Sequence, residues 1–320
     1  MTKAKDLLTA EQIQQLTEKS NLLGAFEFIV SWGLIFAAMA CAFLWPHPLI
    51  IGLALVIIGG RQLALSILMH DAAHYAVFKS KALNDFFGQW FAAYPVWLDL
   101  KRYRVHHLEH HRWAGSVDDP DYGLVKNFPT SKMSLIRKFL RDLFFITGIK
   151  RMYGLLLMDL GIIKYTVASD IVRLPQNNMN AFQRAVLFFR NIKGIIITNL
   201  VLFFVVSILF APWVYLLWVM AYFSTYSLFL RIRSIAEHAC TDMDLDPLAC
   251  TRTTRANLLA RLTVAPHHVN YHLEHHLLMV VPSYRLKAFH QILWHRGFYK
   301  KAHYSPGYLA VLKKASSQPA

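Results

Sequence analysis

Charge is scarce in this sequence: Asp, Glu, Lys and Arg make up 17% of 320 residues, against roughly 25% in a soluble domain. No charged residue at all occurs from Phe28 to Gly60 or from Gly194 to Leu230, and blanks of that length exclude an ordinary soluble globule. Cysteine is nearly absent. Cys41, Cys240 and Cys250 form no Cys-x-x-Cys pair, which excludes a disulfide scaffold, a thiolate zinc site and a dithiol redox motif and leaves three reduced thiols. The His-Glu-x-x-His of zinc peptidases is missing, because Asp71 and Ala72 follow His70. So is the Glu-x-x-His pair of soluble di-iron bundles. Disorder is excluded in turn by 22 Phe, 14 Tyr and 8 Trp, far more apolar surface than an unfolded chain carries.

Each uncharged interval is broken near its middle by proline, at Trp45-Pro46-His47-Pro48 and at Ala211-Pro212. An unbroken helix of that length would run to about 50 Å, well beyond a hydrocarbon core of about 30 Å. Each interval therefore reads as a helical hairpin, with spans near residues 24–45, 49–69, 192–210 and 212–230. The first span lacks a cleavage-site pattern and reads as permanent rather than as a signal peptide. Leu83 to Trp97 is apolar but too short to cross, and Leu143 to Ile163 is interrupted by Lys150 and Arg151; both suit helices lying in the interface. The tail after Lys314 reads as frayed.

Lys and Arg number 3 before the first hairpin, 19 from Arg61 to Lys193 and 12 after Leu230, with none in the two turn loops. The positive-inside rule then places both termini and the middle segment in the cytoplasm, in the inner membrane if the cell is bacterial. The whole chain, 1–320, reads as one membrane unit whose cytoplasmic mass comes from 70–191 and 231–310. Its net charge of +15 suits anionic headgroups and an acidic redox protein or acyl carrier. Nucleic-acid binding is disfavoured because no soluble basic module stands apart.

Against 19 acidic residues stand 16 histidines, an excess that neither packing nor solubility requires. Twelve fall in four places: His70 and His74 in HDAAH; His106, His107, His110 and His111 in one run; His238 after Glu237; and His267, His268, His272, His275 and His276 in another. Residues three and four apart share a helix face, so each cluster can aim several imidazoles at one centre. Gathered on one membrane face, eight or nine neutral imidazoles are costly to satisfy by hydrogen bonds, whereas two transition-metal ions would use them as ligands.

HDAAH, the HLEHH of 107–111, Glu237-His238 and the NYHLEHH of 270–276 resemble the histidine boxes of the membrane fatty acid desaturase and hydroxylase superfamily. The order and the placement around two hairpins match, from about Leu49 to Arg296, and the wording is especially similar to bacterial acyl and sphingolipid desaturases. The resemblance implies an all-α integral membrane fold of four transmembrane helices in two hairpins, under a cytoplasmic helical cap holding a non-haem di-iron centre. It puts the ligands on His70, His74, His107, His110, His111, His272, His275 and His276, with His238 as the ninth. His106 and His268 stand as substitutes through alternative spacing. His47, His290, His295 and His303 are not expected to bind metal.

Carboxylates at Asp71, Glu109, Asp118, Asp119, Asp121, Glu237 and Glu274 are expected to accept from the far nitrogens of the metal-bound rings, or else to be solvated acids on a basic surface. Arg61, within or near the second span, is expected to snorkel, with a role in a substrate cavity as the alternative. Tyr75, Trp90, Trp97 and Trp113 suit an acyl channel and an aromatic belt equally. The chemistry implied is O2-dependent removal of hydrogen from an unactivated C–H bond of a fatty acyl or lipid chain. Desaturation is the first expectation; hydroxylation or oxidative decarboxylation to a terminal alkene is the alternative. A haem- or metal-handling membrane protein is a remote third reading. Since the chain carries no His-Pro-Gly-Gly haem motif, electrons should come from a separate ferredoxin-like or cytochrome b5-like donor.

Overall fold

The computed structural model describes residues 2–168, 170–176 and 179–318. Helices dominate, and among the described residues four are long and apolar enough to cross a membrane: Asn21–Leu44, Pro48–Ala73, Ala181–Leu209 and Pro212–His238. All four expected spans are present, but every helix outruns its uncharged stretch, the first starting at Asn21 before Glu27. The second continues through the first histidine box to Ala73, the third begins at Ala181, and the fourth reaches His238. Loss of charge marks where hydrocarbon lies; a helix goes on into headgroups and water until a cap ends it. Here Asn180 caps the third helix, accepting from the Gln183 N–H, and His47 with Pro48 opens the second.

The second span is the axis of the molecule. It is buried without interruption from Ile58 to Ala73, packed by the first span on one side and the fourth on another. Contact with the fourth is close because Gly59 has no side chain: a Cβ there would stand 2.1 Å from Thr225 Oγ1. At that level the fourth span breaks, with Ser224 outside helical geometry (φ −114°, ψ −90°). The carbonyl of Tyr222 accepts instead from Arg151 at 2.8 Å, and the Arg151 guanidinium lies over the Tyr222 and Tyr226 rings. The helix Ile146–Asp159 is thereby pinned to the break.

Several expectations are corrected. Two short strands, Arg252–Thr254 and His303–Ser305, pair in parallel, so the fold is not purely helical; they tie the C-terminal segment beneath the third box through a bridge from Thr253 to Tyr271. The start of the tail after Lys314 is packed, with Ala315 and Ser316 buried and the Thr130 N–H donating to the Ala315 carbonyl, while Ser317 and Gln318 are exposed. Arg61 does not snorkel. Its guanidinium is buried and donates to the carbonyls of Arg261 and Leu262 at 2.8 and 3.0 Å. The cysteines are free, as expected.

Candidate metal centre

Four segments deliver imidazoles to one place. The second span ends in His70 and His74, the latter as the first residue past the helix. Helix Leu100–Trp113, capped by Asp99 accepting from the Arg102 N–H, presents His107, His110 and His111. His238 is the last residue of the fourth span, and the short helix His272–Leu277 presents His272, His275 and His276.

These nine histidines divide into two groups. The ligating nitrogens of His70, His74, His107, His111 and His275 lie within 4.8 Å of one another, as do those of His110, His238, His272 and His276. Either group could hold a metal ion. His111 Nε2 is 3.0 Å from both His107 Nε2 and His275 Nε2, and His238 Nε2 is 2.7 Å from His272 Nε2. Nε2 of His70, His74 and His276 has no hydrogen-bond partner although buried. Orphaned nitrogen lone pairs in these groups, with a purely imidazole donor set, fit transition-metal ions.

Behind the rings, acceptors fix the tautomers. His70 Nδ1 is 2.7 Å from Asp71 Oδ1, His110 Nδ1 is 2.8 Å from Asp119 Oδ1, and His238 Nδ1 is 3.0 Å from the Cys250 carbonyl. Glu237 lies 3.4 Å from His272 Nδ1 and is itself held by Arg233 at 2.7 Å. Burial first, and then the neighbouring imidazoles, hold His107, His111, His275 and His276 neutral, their pKa values well below the usual histidine range. His74 is pushed down to about 3 by burial and by Arg104. His110 moves the other way: burial works against its charge, but the Asp119 hydrogen bond and the nearby Asp121 outweigh it.

The two substitutes stay outside both groups. His106 Nε2 is 2.8 Å from Asp121 Oδ1, so its outer spacing serves the loop that also carries Asp119. His268 follows His267 in a turn where both have positive φ, 49° and 57°, held by His267 Nε2 at 2.9 Å from Ser31 Oγ.

Of the carboxylates, Asp71, Asp119 and Glu237 lie beside group histidines, while Asp121 lies beside His106 and 3.7 Å from His110. Glu109 does not: it is exposed on the far side of its helix, 3.8 Å from Lys164. Asp118 is exposed too, its N–H donating to Ser116 Oγ within the turn. Glu274 is fully buried but faces away from the group histidines, accepting from Thr253 and Tyr299 and lying 2.6 Å from His290. One position in a box helix points toward the centre and the next points away, so interleaving in sequence does not guarantee contact. His290, read as a surface or packing residue, is thus half of a buried polar pair. His47 caps a helix, His295 is exposed with Nδ1 2.7 Å from the Gln291 carbonyl, and His303 lies 3.2 Å from Asp242.

Among the aromatics, Tyr75 lies beneath the Arg104 guanidinium and Trp113 beneath that of Arg112, Trp90 is exposed, and Trp97 lines a small cleft with Arg102 and Tyr165. Tyr103, which the sequence did not single out, stacks on His107 with centroids 5.1 Å apart. Arg252 was also missed. Buried, it donates to the carbonyls of Ile235, Ala236, Ala239 and Cys240 and so closes the helix end that carries His238. Neither has a local sequence signal, since each acts on residues brought near only by folding.

The fatty acid desaturase family model matches residues 44–308, which includes every histidine of both groups. Among characterised proteins the chain is 27% identical over 314 residues to the dihydrorhizobitoxine desaturase of Bradyrhizobium elkanii, covering 96% of this chain and 85% of that protein. A local match, 35% identical over 80 residues, covers 24% of this chain and 20% of the beta-carotene 4-ketolase of Protosiphon botryoides. With a family match across most of its length and the histidines gathered in space, the chain belongs to the fatty acid desaturase family.

Proposed function

We propose that this protein is a membrane oxidoreductase that introduces a double bond into a fatty acyl or lipid chain, using O2 and a non-haem di-iron centre. The observation that carries the reading is the division of nine histidines, seven of them buried and His111 and His238 half-buried, into groups of five and four with their nitrogens converging. His70, His74, His107, His111 and His275 would hold one iron; His110, His238, His272 and His276 would hold the other. When bound, the pair supplies the oxidising power that removes hydrogen from an unactivated carbon.

The chain's own residues do the rest. Asp71, Asp119 and the Cys250 carbonyl keep the protons of His70, His110 and His238 on Nδ1 and leave Nε2 as the donor. Arg233 holds Glu237 behind His272. Burial keeps water from the centre, and the groups sit at the ends of apolar helices, where a chain lying in the bilayer can reach them. Both termini and the histidine-bearing face are assigned to the cytoplasm by the distribution of Lys and Arg, and a separate ferredoxin-like or cytochrome b5-like protein would deliver electrons there.

A desaturase matching nearly the whole chain supports desaturation; the local match to a ketolase favours oxygen insertion as the second reading. The former is named for dihydrorhizobitoxine and not for a fatty acid, so the test is open with respect to substrate. Total lipids and small metabolites from cells expressing the protein are compared by mass spectrometry with those from cells expressing His272→Ala. A species two hydrogens lighter, absent with the variant, is expected. An added oxygen would replace the proposal with the second reading, and a Soret band without any oxidised product would overturn both.

A further inference from the structure

Beside the second span, far in sequence from any uncharged interval, lies the short helix Leu258–Leu262. It touches the span at Gly60, where a Cβ would stand 2.2 Å from the Leu262 carbonyl oxygen. Gly60 is twelve residues from Pro48, where the span begins, or roughly 18 Å along a helix. In a hydrocarbon core of about 30 Å that point lies about 12 Å below the boundary on the histidine-bearing side. Leu258 and Leu259 are nonetheless 74% and 66% exposed, among the most open large apolar side chains described.

The carbonyls at the end of this segment are paired within the protein. Asn257 Oδ1 accepts from the Ala260 N–H at 2.9 Å. Thr263 Oγ1 donates to the Leu259 carbonyl at 2.7 Å, and the Thr263 and Ala265 N–H groups donate to the Ala260 carbonyl. Arg61 donates to the last two carbonyls, of Arg261 and Leu262. Every carbonyl from Leu259 to Leu262 thus has a partner within the protein. A loop bathed in water needs no such arrangement, whereas a lipid-facing segment cannot do without it. The same logic accounts for a guanidinium buried in the second span: it serves the backbone of a segment that water does not reach.

We infer that Leu258–Leu262 is a re-entrant knuckle that inserts Leu258 and Leu259 into the acyl region of the leaflet on the histidine-bearing side, as a lipid contact beside the four spans. This inference rests on the four-span reading, and its test separates the two.

Nitroxides are attached to Leu259→Cys, Leu200→Cys and Val117→Cys, each in a Cys41→Ala, Cys240→Ala background, in protein reconstituted into phosphatidylcholine–phosphatidylglycerol vesicles. Leu200 lies in the third span and Val117 on the cap, both exposed. Collision with O2 and with a water-soluble nickel chelate is then measured. Leu259 should resemble Leu200, favouring O2; Leu258→Cys repeats the measurement in case one label disturbs the turn. If both labels in the knuckle resemble Val117 while Leu200 favours O2, the knuckle is in water and the inference is wrong although the spans stand. If Leu200 itself collides freely with nickel, the four-span reading falls and the inference with it.

Discussion

Asp118 and Asp119 are adjacent in the chain and identical in type, yet their substitution should have opposite consequences. Asp119 is buried and accepts both from His110 Nδ1 and from the Asp121 N–H, each at 2.8 Å. Asp118 is exposed and touches no group histidine. Replacing Asp119 by Asn keeps the shape but removes the charge that raises the basicity of His110. Substitutions behind a metal ligand cost roughly 10- to 100-fold in metal affinity, or about 1.4–2.7 kcal/mol. The second carboxylate, Asp121 at 3.7 Å, is too far to restore a good hydrogen bond, so little of this loss is recovered. His110 belongs to the group of four, and the loss should fall on that group alone. The assay is iron content by elemental analysis after equilibration against increasing chelator. Wild type and Asp118→Asn should release two equivalents together, whereas Asp119→Asn should lose one equivalent at 10- to 100-fold less chelator and keep the other. Equal behaviour of the two variants, or a uniform shift of both equivalents, would refute the assignment of His110 to a separate group of four.

Other expectations follow from the same geometry. His106→Ala should retain two irons and His107→Ala should lose one, because only His107 has its nitrogen in a group; elemental analysis of the purified variants decides. Arg252→Met removes a donor from each of four carbonyls, of which those of Ile235 and Cys240 keep another, the Ala239 N–H and Lys314 Nζ. At about 1–3 kcal/mol for each well-formed bond lost, partly offset by relief of a buried charge, it should cost on the order of 3 kcal/mol, seen as a lower melting temperature by intrinsic fluorescence and as loss of the iron next to His238. Acidifying metal-free protein from pH 7 to 5 should destabilise it. A histidine such as His74, held at about 3 when folded and at 6.5 when unfolded, binds its proton only in the unfolded chain over that window, so its contribution is full above pH 6.5 and falls by about 2 kcal/mol at pH 5. A melting temperature flat across that range would contradict neutral burial of the histidines.

Sequence alone determined what depends on short-range regularity. Uncharged intervals punctuated by proline gave the four apolar helices, because transfer of charge into hydrocarbon is costly at any position along a span. Helical spacing showed that each box can aim several imidazoles at one centre, since neighbours three and four apart share a face whatever the rest of the chain does; the resemblance to the desaturase boxes, not spacing, singled out the nine, the lone His238 among them. Box spacing was silent on the choice between His106 and His107, which was decided by how helix Leu100–Trp113 is rotated against the second span. Glu109 and Glu274 read like Asp71 and Asp119, yet one faces Lys164 and the other His290. Their partners come from segments distant in sequence, as do Arg252 beneath His238 and Arg61 beneath Leu262. Burying a polar group requires a partner in space, and space is assigned by packing between elements; periodicity within an element fixes the direction of a side chain relative to its neighbours but not what it will meet.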